Sequence, residues 1–86
     1  KQFIQDTGVE KQRIMVYFAV SFDYALNKDF TKADEMFKKG IDADKDKAYR
    51  DFFINRINSM QAFVEPDAAT NEWLEARKAE LSGAEQ

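Results

Sequence analysis

The 86-residue chain contains no cysteine and no histidine. Without cysteine, disulfides and thiolate metal centres are excluded. Without histidine, the chain lacks the commonest general base, the commonest zinc ligand and the usual protonation switch near neutral pH. An absence of thiols fits a reducing compartment, so a cytoplasmic setting is expected. The longest fully apolar run, Ile14 to Val20, has seven residues, whereas a bilayer span needs about 20; no membrane association is expected. Nor is there a basic excess. The formal net charge is −3, and lysines and arginines are scattered among acidic neighbours, as at Lys38–Lys39, Lys45 and Lys47. Nucleic-acid binding starts from a basic patch that displaces counterions, so no nucleic-acid partner is expected. Proline occurs once and glycine three times. No low-complexity segment or long linker divides the chain, and residues 1–86 are expected to form a single small helical domain. A chain that opens on Lys1 is expected to be processed or cut from something larger, and it shows no signal-peptide pattern.

Apolar material is plentiful. Hydrophobic residues make up 44% of the sequence, with eight Phe, three Tyr and one Trp. A domain this small buries only about 60% of its unfolded surface. With no disulfide to assist, stability has to come from packing or from a partner.

Hydrophobic periodicity predicts four helices, an all-α fold. Asp6–Thr7–Gly8 reads as a turn, and Thr7 with Glu10 as a capping box opening a helix over residues 8–27. Along it, Ile14, Phe18, Phe22 and Ala25 share one face, and Val16, Tyr17 and Val20 extend the apolar stripe nearly round the circumference. The same stretch alternates as a strand would, Ile14, Val16, Phe18, Val20, Phe22, Tyr24. Continuation of the helical period through Ala25–Leu26, the cap and the lack of a partner strand favour the helix. Asn27–Lys28–Asp29 should reverse the chain. A second helix begins at Thr31, with Asp34 and Glu35 in its first turn and Lys38 and Lys39 in its last. Gly40 is the expected stop, and Ala33, Met36 and Phe37 the buried face. After a charged loop at 42–46, a third helix is expected over 47–64. Tyr49, Phe53, Ile57, Met60 and Val64 line it, with Phe52 and Phe63 widening the stripe. Glu65–Pro66 breaks it. Asp67 caps a fourth helix through Leu81, with Trp73, Leu74, Arg77 and Leu81 inward, and Ser82–Gly83 ends it. Short connections favour antiparallel neighbours.

Residues 14–47 carry a resemblance. Tyr17, Val20, Ser21 and Tyr24, followed by Ala33 and Phe37, stand where the tetratricopeptide repeat places an aromatic, a leucine, a small residue, a tyrosine, a second small residue and an aromatic. Gly40 replaces the family's second alanine, and Lys45 its closing proline. The segment "KDFTKADEMFKKGI" also resembles the second helix of half-a-TPR repeats. The resemblance covers 34 residues; residues 48–81 depart from it at Asp51, Asn58 and Asp67. It implies a TPR-like antiparallel helical hairpin, and a chain that is either a piece of a longer array or one hairpin closed by two unrelated helices. It also implies a concave groove lined by the first helix, with Met15, Phe18, Phe22 and Leu26 as the binding residues. Without neighbouring repeats to shape a groove, the same four residues read as core.

Other signals point to no chemistry. Asp42, Asp44 and Asp46 take positions one, three and five of a calcium loop. The position-six glycine and position-twelve glutamate that such a loop requires are Lys47 and Phe53 here, so no metal is expected. Asp34–Glu35, Glu72, Glu75 and Glu80 lie on outer faces beside basic residues, as surface charge does. Asp23 sits among apolar neighbours and could pair with Lys28 or Arg56. Ser21 and Ser59 have no relay. Trp73 reads as a core anchor. No catalytic residue and no cofactor are expected. The expected function is non-enzymatic protein or peptide binding by a helical interaction module, with self-association as one form of it. The alternative is a small acidic inhibitor or regulator that covers a basic surface on an enzyme, using Asp42, Asp44, Asp46, Glu65 and Asp67.

Overall fold

A computed structural model describes residues 2–83, with side chains from Gly8 onward. It contains four α-helices in the order α1 (Gln2–Leu26), α2 (Phe30–Ala43), α3 (Arg50–Phe63) and α4 (Ala68–Ser82), so the fold is all-α. The chain separates into two compact units, one ending at Asp46 and the other starting at Lys47. Each unit is a pair of consecutive helices packed together.

In the first unit, α1 starts well before Gly8 and runs through Asp6–Thr7–Gly8 without a turn. The expected turn and capping box are therefore corrected; the Thr7 side chain itself lies outside the described ones. Residues 2–5 contain no helix breaker, and a lone glycine costs a helix only about 1 kcal/mol. Gly8 is exposed and faces open space, so nothing forces the chain to bend there.

The reversal falls at Asn27–Lys28–Asp29, as the sequence suggests. Lys28 takes a left-handed conformation, φ 68°. The Asp29 N–H donates to the Tyr24 carbonyl at 2.9 Å and the Lys28 N–H to the Ala25 carbonyl at 3.0 Å. This is the Schellman pattern, which satisfies carbonyls that the end of a helix leaves without partners. Asp29 then starts the next helix, because its carboxylate accepts from the Lys32 N–H at 3.3 Å. A single residue thus closes α1 with its amide and opens α2 with its side chain.

Gly40 does not stop α2. It is buried inside the helix, which continues to Ala43 and is closed by the Asp44 N–H donating to the Gly40 carbonyl at 2.9 Å. Its role is steric: a Cβ built there would lie 2.9 Å from Phe18 Cε1. Ala33 and Gly40, seven residues apart on one face, let α1 approach, and Phe37 between them meets Phe18 edge to face at 5.2 Å between centroids. Ile14, Phe18, Phe22 and Ala25 complete this core. The buried Ser21 hydroxyl donates to the Phe18 carbonyl at 2.7 Å, so it enters the core with its donor satisfied.

The second unit begins with Lys47 at φ 59°. That left-handed residue cannot continue a helix, so α3 starts at Arg50 rather than at Lys47. Phe53, Ile57 and Met60 are buried from α3, and Thr70, Trp73, Leu74 and Leu81 from α4. Val64, expected on the buried face, and Phe52 and Phe63, expected to widen it, are instead exposed. At the α3–α4 connection Glu65 is left-handed, φ 54°, followed by Pro66. Asp67 caps α4 by accepting from the Thr70 N–H at 3.1 Å. Gly83, φ 78°, ends it, as expected.

Candidate functional site

The four binding residues suggested by the repeat resemblance do not share one environment. Phe18 and Phe22 are buried in the α1–α2 core, and no ligand reaches them without opening the hairpin. Met15 and Leu26 are half-buried on its flank. The reason is local: α1 turns Phe18 onto Gly40 and Phe37 of α2, and Phe22, one turn further along the same face, is buried with it. Trp73 is likewise buried, with the Arg77 guanidinium 5.3 Å from its ring. It anchors the second unit, and Arg77 is held in turn by Glu80, Nε to Oε1 3.2 Å.

The surface apolar residues lie elsewhere. On α3, Phe52, Arg56, Ser59 and Phe63 recur at i, i+4, i+7 and i+11, which puts them on one side of the helix. All four are exposed, Phe52 by 51% and Phe63 by 85%, and Val64 at the end of the helix by 53%. Within this unit the opposite flank of α3 is polar and tied to α4. Lys78 Nζ donates to Asn58 Oδ1 at 2.9 Å and to Gln61 Oε1 at 3.1 Å. It also pairs with Glu75 at 3.0 Å, and Gln61 Nε2 donates to the same Glu75 oxygen, again at 3.0 Å. The Gln61 bond, followed by the bond and the charge from Lys78, holds the Glu75 carboxyl below its ordinary value. Asn58, out of place for a repeat, thus belongs to a polar clasp. The helix has three arcs: one buried, one clasped to α4, and one carrying two aromatics in water with Arg56 between them.

On α1 the side away from α2 is mixed, with Arg13 exposed between two valines. Val9 and Val16 are exposed by 48% and 54%, Val20 is half-buried, and Asp23 is exposed on the same side. The Asp23 backbone carbonyl accepts from Asn27 Nδ2 at 3.0 Å, and the residue itself is exposed.

The acidic loop offers no cation cage. Asp44 is buried at the end of α2, and among the described residues no group of three or more carboxylates is placed to hold a metal ion. No described helix is long and apolar enough to cross a membrane. No protein-family model matches the chain, and no curated protein or solved structure shows significant similarity to it. Phe52 and Phe63, which the sequence pattern places on the buried face, instead flank Arg56 on an exposed one, the strongest site geometry among the described residues. Its signal was an apolar stripe on α3 wider than one packed neighbour can cover.

Proposed function

We propose that the chain is a non-enzymatic helical interaction module that binds a protein or peptide through apolar side chains presented on helix surfaces. The observation that carries this reading is Phe63, 85% exposed, with Phe52 and Val64 exposed on the same helix. Single exposed hydrophobics are ordinary, but two phenylalanines on one exposed helix face are the kind of surface that partners cover. Phe63 is the leading anchor, since aromatic side chains bring large area at low entropic cost. The close approach of Ala33 and Gly40 to α1 supports the repeat-like reading of the first hairpin, in which rigid helix pairs serve as scaffold rather than as chemistry.

Selection of a displayed random-peptide library against the immobilised chain tests the reading. Enriched peptides should be rich in apolar residues, should lose binding to a Phe63→Ser variant, and should keep their affinity as salt rises, because apolar contacts are not screened. Absence of any enriched peptide overturns it. Enriched basic peptides whose affinity collapses with salt would favour the acidic-regulator alternative, whose surface is already reduced by the burial of Asp44.

A further inference from the structure

The exposed faces of α1 and α3 match each other in charge and in spacing. On α3, the cation Arg56 precedes the exposed Phe63 by seven residues; on α1, the anion Asp23 follows the exposed Val16 by seven residues. Seven residues are about 10.5 Å along a helix, and a seven-residue step returns nearly to the same side. When the two helices run antiparallel with Arg56 opposite Asp23, Phe63 lies opposite Val16 and Ser59 opposite Val20. A parallel arrangement loses this match, because the apolar residue then lies on opposite sides of the charge.

We propose that a second copy of this chain covers the α3 face, its α1 outer face docking antiparallel with Asp23 on Arg56 and Val16 on Phe63. The inference rests on the reading of the α3 face as a docking surface and names its occupant. Three features select a second copy over an unrelated helix. The complementary charge is on the chain itself, it sits at the required spacing from an exposed apolar residue, and both halves are already in water and helical. Association therefore costs little conformational ordering. The contact joins two different surfaces. It closes as a reciprocal pair when both faces of two copies engage, and otherwise extends head to tail.

Sedimentation velocity of the full chain over a concentration series tests the proposal. Wild-type chain should associate as concentration rises. Phe63→Ser, Arg56→Glu and Asp23→Lys should each weaken association by about tenfold or more, since they remove an anchor or set like charges together. The doubly swapped chain, Arg56→Glu with Asp23→Lys, should associate again. These positions are exposed, so circular dichroism should show unchanged helix content. A chain that stays monomeric throughout overturns the proposal, as does a double swap that fails to restore association. Peptide enrichment that depends on Phe63 in a chain that remains monomeric would overturn this inference and leave the broader interaction-module reading standing.

Discussion

The ring of Phe18 occupies the space into which a side chain on Gly40 would grow. A Cβ at position 40 would lie 2.9 Å from Phe18 Cε1 and 3.0 Å from Cδ1 and Cζ. Phe18 is fully buried and packs edge to face on Phe37, so its ring has nowhere to retreat. This contact decides how closely α1 and α2 pack, and the core of the first unit is built around it.

Gly40→Ala should therefore destabilise the first unit despite alanine's better helix propensity. The propensity gain is about 1 kcal/mol, while overpacking a tight core costs about 1–3 kcal/mol. A net loss of about 1 kcal/mol is expected, read as a lower urea midpoint at unchanged slope. Phe18→Leu in the Gly40→Ala background should recover part of that loss, although Phe18→Leu alone destabilises. A double-mutant cycle with no coupling between positions 18 and 40 would show that the close approach is not what Gly40 provides.

Lys28 holds a left-handed conformation that costs a side-chain-bearing residue about 1–2 kcal/mol. Its place in the Schellman turn is the one usually given to glycine. Lys28→Gly should raise stability by about 0.5–1 kcal/mol, and Lys28→Val should lower it, because a β-branched residue fits that region worst. Thermal melts of the two variants should move in opposite directions from wild type; a shift in the same direction for both would contradict the role of backbone conformation here.

Asp67 is placed to be worth more than its charge. Its carboxylate accepts from the Thr70 N–H at 3.1 Å, and its own carbonyl accepts from the Asn71 N–H at 2.9 Å. Asp67→Ala should cost about 1 kcal/mol through loss of the cap, and Asp67→Asn only a few tenths, since asparagine caps as well. Amide exchange in the first turn of α4 should rise for the alanine variant and hardly change for the asparagine one. Equal losses for both would mean that dipole stabilisation by the charge, not the hydrogen bond, dominates.

Much of this fold could be read from residue order alone. Four helices, the reversal at Asn27–Lys28–Asp29, the Asp67 cap and the Gly83 stop each follow from local chemistry that a short window contains. Gly40 did not, because a glycine after two lysines looks like a helix end, and its real reason is a ring from another helix. Phe52 and Phe63 were misplaced for a related cause. Periodicity shows that a helix is apolar over a wide arc, but how much of that arc is covered depends on its neighbour. Within its unit α3 is joined to α4, and the polar clasp takes one of its flanks. Phe18 and Phe22, groove-lining by the repeat resemblance and core by their own pattern, are buried for the same reason: which side of an all-round apolar helix turns inward is set by where the small residues of the partner lie.

Glu75 makes the clasp between α3 and α4 sensitive to acid. Its carboxyl is held below the ordinary value of 4.5, chiefly by the hydrogen bond from Gln61 and then by Lys78. A carboxylate whose pKa is depressed on folding binds fewer protons in the native state than in the unfolded one. Its contribution is thus fully present above the unfolded pKa and fades as pH falls through the lower folded one. Stability of the second unit should accordingly decline from about pH 4.5 downward more steeply in wild type than in Glu75→Gln, which keeps the shape and loses the titration. The carboxylate is exposed, so the effect should be small and should shrink further with added salt. Lys78→Met should flatten the same part of the pH profile only in part, because the Gln61 bond remains. A pH dependence identical in wild type and Glu75→Gln would remove Glu75 from the acid response and leave the clasp as geometry alone.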